Sequence, residues 1–218
     1  MTKSYRLAFI GFGNVGQGLA EILRDHGDAL SERFGVRFQP VAVSDLMKGA
    51  VYDPEGLDPA ALLDAVDASG DLLEVDAPER GWDALKTIRE SNADILLEMS
   101  YTDLETGEPA LTHIRSALES GKHAVTTNKG PAALHFPELQ RLARENQVEI
   151  GVEGTVMSGT PALRVGQELL AGAGVQRVQG ILNGTTNYIL TQMESGASYE
   201  AALAEAQAKG YAEADPRG

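Results

Sequence analysis

The 218-residue chain contains no cysteine. Disulfides and thiolate metal sites are therefore excluded, and the composition suits a cytoplasmic protein. Basic residues are scarce: 18 Lys and Arg stand against 32 Asp and Glu, a net charge of −14. Nucleic acids and anionic membranes both require a basic patch, so neither is expected as a partner. The same acidity fits a high-salt habitat or simply a solvated acidic surface. No window approaches the roughly 18 consecutive apolar residues of a membrane helix. The start, Met1-Thr-Lys-Ser-Tyr-Arg6, runs into a strand with no secretory pattern. The single tryptophan, Trp82, is expected as a packing anchor. The four histidines, His26, His113, His123 and His135, fall at unrelated spacings. None stands in a metal motif, and all four are read as structural or surface residues.

What is present is the ordinary material of a globular protein, 43% hydrophobic and long enough for one large α/β domain or a domain plus part of a second. Apolar runs at 5–10, 36–44, 94–98, 123–126 and 148–152 read as strands. Between them, 14–34, a segment from Asp58-Pro59, 82–90, 109–120 and 136–145 read as helices. Asp58 is a natural N-cap and Pro59 suits the first helical position. Strands alternating with helices predict a doubly wound parallel sheet covered on both faces. The stretch between 45 and 58 reads as a turn-rich loop. After Gly151 the pattern changes to a small-residue loop, a helix at 162–170, a strand at 175–182 and helices at 185–193 and 198–209. A domain boundary is expected near 152–158.

Gly11, Gly13 and Gly16 form G-x-G-x-x-G with a strand before and a helix after, the context a Rossmann dinucleotide site requires. Gly11 permits the tight turn, Gly13 lets the backbone approach the pyrophosphate, and Gly16 allows close helix–sheet packing. The competing reading is a tight strand–helix turn with no ligand. Asp45, closing the second strand, is placed to accept the adenosine ribose hydroxyls, which favours NAD; Lys48 could offset it and accept NADP. Thr126-Thr-Asn-Lys-Gly-Pro131 follows a strand and ends at a glycine-proline turn. Ligands of such sheets bind beyond the carboxyl ends of the strands, so Lys129 faces the nicotinamide end of the crevice. Taken alone, a lysine there is more often a solvated surface cation.

Three later segments carry more. Asn183-Gly-Thr-Thr-Asn187 turns the chain from an apolar run into a helix and presents donors suited to a carboxylate. Glu153-Gly-Thr-Val-Met-Ser-Gly-Thr160 is a small-residue loop, and Tyr211-Ala-Glu-Ala-Asp-Pro216 closes the chain. In order and spacing, these segments and the Thr-Asn-Lys motif closely resemble homoserine dehydrogenases. The resemblance covers essentially the whole chain.

The resemblance implies a Rossmann domain, 1–152, followed by the start of a second, α+β substrate domain, 153–218. It implies NAD(P)-dependent interconversion of L-homoserine and L-aspartate 4-semialdehyde in threonine and methionine biosynthesis, and a homodimer when full length. Cofactor contacts are expected at Gly11, Gly13, Asn14, Val15, Gly16, Asp45, Ser100, Thr127, Asn128 and Lys129. Lys129 is the expected catalytic group, moving the hydroxyl proton with a lowered pKa or holding the substrate oxygen. Glu213 would pair the substrate's α-ammonium, with Asn183, Gly184, Thr185, Tyr211 and Asp215 around it. Glu153, Val156, Ser158 and Thr160 match a sodium loop, where oxygen ligands suit a hard cation; Met157 and Ser158 depart from the family pattern, and a crossover with no ion competes. The family continues past the Glu-x-Asp-Pro segment with two aspartates, a second lysine and more sheet. The chain is therefore expected to be truncated, and these residues alone are not expected to turn over substrate. Another Rossmann oxidoreductase acting on an amino acid or semialdehyde, and a non-catalytic nucleotide-binding fragment, are the alternatives.

Overall fold

The computed structural model describes residues 2–101 and 103–212. Two compact units divide after Thr155. The first holds a seven-stranded sheet of order β4-β3-β2-β1-β5-β6-β7. Its centre is β1 (Lys3–Ile10), flanked by β2 (Val36–Asp45) and β5 (Ile95–Glu98), with β6 (His123–Thr126) and β7 (Ile150–Gly151) beyond β5. These five strands are parallel.

The alternation of β1 explains why both faces must be covered. Ala8 and Ile10 belong to one core cluster and Leu7 and Phe9 to the other, as the two-residue period of a strand dictates. The first face packs against α3 (Ala84–Glu90), α4 (Ala110–Glu119) and α5 (Lys129–Glu145) through Ile88, Ile114 and Leu139. The second packs against α1 (Asn14–Phe34) and α2 (Pro59–Ser69) through Ala20, Leu62 and Leu63. Asp58 caps α2 by accepting from the Ala60 N–H at 3.0 Å, with Pro59 opening the helix. The chain goes from β1 outward to β2 and returns across the sheet to β5. The strand order therefore reverses beside β1, and the crevice at the carboxyl ends of β1 and β5 is the switch point where such sheets bind ligands.

The structure departs from the sequence reading in four places. The loop expected at 45–58 contains β3 (Gly49–Tyr52), antiparallel to β2, and β4 (Glu79–Arg80) pairs antiparallel with β3. The parallel core thus carries an antiparallel edge. Helix α5 starts at Lys129, where a glycine-proline turn was expected. Pro131 is tolerated because first-turn N–H groups have no intrahelical acceptor to lose. Pairing in β7 is confined to Ile150 and Gly151, against Ala124 and Val125.

The fourth departure is in the second unit. Its described elements are helical: α6 (Ala162–Arg164), running on as a wider π turn at Val165–Leu169, then α7 (Gly184–Glu194) and α8 (Tyr199–Ala208). Helices α7 and α8 bury Ile189, Ala202 and Ala206 against Tyr188 and Leu203. The strand expected at 175–182 does not form. No described segment pairs with it, and Val178 and Ile181 stay exposed. A strand exists only through a ladder partner, and among the described residues 175–182 has none.

Candidate active site

The glycine loop is built as its spacing requires. Gly11 has φ +90°, and a Cβ there would lie 2.6 Å from the Met99 carbonyl oxygen. Only glycine lets the turn after β1 press against the chain leaving β5. A Cβ on Gly16 would meet the Gly11 carbonyl at 2.9 Å, so α1 packs close to the turn. Gly13 differs: a Cβ would meet nothing within 4 Å. The protein leaves that face open, as a pyrophosphate approach needs. Gly13 is also the N-cap of α1 and offers no side-chain cap. Asn14 and Val15, which begin α1, are exposed. The positive end of α1 is thus presented to the crevice without a carboxylate in its first turn.

Asp45 is committed to this loop. Its Oδ2 accepts from the Phe12 N–H at 2.7 Å, and its Oδ1 accepts from the Met47 and Lys48 N–H groups at 2.9 Å each. Burial opposes ionisation, but these three donors and the Lys48 charge outweigh it and hold the carboxyl below its usual range. The expected ribose acceptor is therefore also the brace between β2 and the glycine turn.

On the other side of β1, Ser100, Thr127, Asn128 and Lys129 gather beyond β5 and β6. Lys129 is exposed and opens α5. The Asn128 N–H donates to Thr126 Oγ1 at 3.0 Å. The sequence does not reveal what lies beneath them. Glu98, the last residue of β5, is fully buried. It accepts from the Ser100 hydroxyl and the Asn128 amide, and His113 Nδ1 lies 3.2 Å from its Oε1. His113 is thus a structural residue as expected, but one joined to the candidate site. The one available signal was a charged residue ending a fully apolar strand.

The other expected residues are spread over both units. Glu153 starts a short 3-10 turn whose Gly154 packs against Thr127; a Cβ there would lie 2.9 Å from the Thr127 methyl. Val156, Ser158 and Thr160 fall in the second unit, where Met157 and Ser158 take left-handed backbone, φ 57° and 51°. Asn183 caps α7, its Oδ1 accepting from the Thr186 N–H at 2.8 Å. The Thr185 hydroxyl donates to the Tyr211 carbonyl, and the Tyr211 ring meets Tyr188 edge-on at 5.2 Å. Glu213 and Asp215 lie outside the described residues. Trp82 packs against Tyr52 at 4.6 Å, as a packing anchor should.

Comparison with known proteins is consistent across the chain. Residues 11–153 match the family model described as the homoserine dehydrogenase NAD binding domain, and residues 161–218 match the one described as homoserine dehydrogenase. The chain is 44% identical to an NAD(+)-dependent homoserine dehydrogenase of Pseudomonas canavaninivorans, over 97% of this chain and 60% of that protein. It is 39% identical to a homoserine dehydrogenase of Methanocaldococcus jannaschii, over 96% and 62%. Among solved structures, a hyperthermophilic archaeal homoserine dehydrogenase in complex with NADPH superposes with TM-score 0.81 at 30% identity, covering 98% of this chain and 63% of that one. The homoserine dehydrogenase of Thermoplasma acidophilum gives 0.79 at 27%, covering 99% and 63%. The chain therefore spans about three-fifths of the length of these relatives. None of these relatives favours the other oxidoreductases or the non-catalytic fragment. With two family models matched in order and a glycine loop of the required geometry, the chain belongs to the homoserine dehydrogenase family.

Proposed function

We propose that this chain is the nucleotide-binding part and the first portion of the substrate-binding part of an enzyme that interconverts L-homoserine and L-aspartate 4-semialdehyde with NAD or NADP, a cytoplasmic step toward threonine and methionine. The observation that carries the reading is the open, uncapped Gly13 end of α1 on the same sheet edge as Lys129. A nicotinamide dinucleotide bound there supplies the hydride chemistry. The protein's part is to hold the pyrophosphate on the α1 amides, brace the ribose side with Asp45, and present Lys129 to the substrate oxygen. Lys129 would take or hold the hydroxyl proton as the alcohol is oxidised. Asp45 inclines the choice toward NAD, because a 2′-phosphate would be repelled by a carboxylate held ionised.

In the second unit, the Gly184 and Thr185 N–H groups at the start of α7 suit the substrate α-carboxylate, and Glu213 suits its α-ammonium. Sodium would be held by main-chain oxygens and Glu153 in the 153–160 loop, and the full-length enzyme would work as a homodimer. In the full-length protein with NAD, homoserine should yield NADH, and the same alcohol without its amino group should be a poor substrate. Glu213→Gln should raise KM for homoserine much more than KM for cofactor. An amino-free alcohol oxidised as fast as homoserine would overturn the substrate assignment.

A further inference from the structure

Glu98 is the only carboxylate among the fully buried side chains of the described residues, and three polar side chains face it. Oε1 takes the Ser100 hydroxyl and faces His113 Nδ1 at 3.2 Å, while Oε2 takes the Asn128 amide nitrogen. A carboxylate accepts on both oxygens, and Oε2 is the one that meets the Asn128 NH2, a group that can only donate. A carboxyl group enclosed this fully is tolerable only with hydrogen-bonding partners of this kind.

The consequence falls on Asn128. Its Nδ2 donates to Glu98 Oε2 and, at 2.8 Å, to the Ser100 carbonyl. Both are acceptors, so the amide cannot flip without setting oxygen against oxygen. Its Oδ1 is then held on the opposite side of the amide, where it accepts from no described residue. Asn128 is half-buried and lies beyond β6, on the far side of β1 from Asp45. A dinucleotide whose ribose lies at Asp45 and whose pyrophosphate lies at Gly13 carries its nicotinamide to this side.

Resting on the dinucleotide reading above, we infer that Glu98 is a positioning residue that locks the Asn128 amide with its oxygen outward, as the acceptor for the N–H of the nicotinamide carboxamide. His113 holds Glu98 from behind, and Ser100 closes the network.

The test is binding to full-length protein by titration calorimetry with three probes: NAD, its acetylpyridine analogue (carbonyl kept, amide NH2 replaced by methyl) and ADP-ribose, which lacks the nicotinamide. Wild type should bind NAD at least tenfold more tightly than the analogue. Glu98→Leu, which removes both acceptor oxygens, should weaken NAD at least tenfold, erase that discrimination and leave ADP-ribose within twofold. Asn128→Ala should do the same, and keeps the test open if Glu98→Leu does not fold, since the Asn128 side chain makes no cap bond to α5. A parallel loss of ADP-ribose and NAD would make the network a structural brace and overturn the inference. So would unchanged discrimination. Wild-type protein that binds neither NAD nor ADP-ribose would instead defeat the dinucleotide reading itself.

Discussion

At the scale of residues, the three fingerprint glycines do three different jobs, and the surroundings of each say which. Gly11 and Gly16 are required by the protein's own backbone, whereas Gly13 is required by nothing within the protein. Gly13→Val should therefore fold normally and lower dinucleotide affinity at least tenfold, about 1.4 kcal/mol. Calorimetric titration beside a thermal melt checks this, and unchanged affinity would remove the pyrophosphate from this loop. Asp45 has two roles, so Asp45→Ser should weaken both cofactors by loosening Phe12, and weaken NAD more than NADP by removing the ribose acceptor. Dissociation constants for both cofactors measure the gap; a wild type that prefers NADP would show that Lys48 prevails. These positions were legible because glycine spacing and a strand-ending carboxylate are local signals. Glu98 and His113 were not, since they lie 15 positions apart and meet only when β5 and α4 pack.

At the scale of elements, legibility followed length and capping. The long amphipathic α1 and the Asp58-Pro59 start of α2 sit where the sequence puts them. Gly49-Ala50-Val51-Tyr52 carries too few residues to show a period, and its strand state comes from pairing with β2. Residues 175–182 have the composition of a strand but no described ladder partner, and composition alone does not supply one. The Asn183 turn was read as a substrate site, and the structure adds a second role as the cap of α7. Asn183→Ala should cost about 1 kcal/mol of stability through the lost cap. If the same turn seats the α-carboxylate, homoserine KM should rise as well. Denaturant unfolding together with steady-state kinetics separates the two, and a stability loss with unchanged KM would leave Asn183 as a cap alone.

At the scale of the whole molecule, the chain carries a seven-stranded doubly wound sheet and spans about three-fifths of the relatives named above. Among the described residues no helix is long and apolar enough to cross a membrane. The cofactor loop and the candidate reaction group belong to one unit and open from one edge of its sheet, while the groups expected to read the substrate's charges belong to the other. Within the first unit the cofactor loop follows β1 and Lys129 follows β6, so cofactor binding and chemistry should respond separately to mutation. Lys129→Ala in the full-length protein tests this most directly, with kcat for homoserine and the dissociation constant for NAD measured on the same preparation. The predicted result is a kcat lower by about two orders of magnitude, the scale of a lost acid–base group, with NAD affinity nearly unchanged. Near-normal kcat would contradict the account and return Lys129 to the solvated surface.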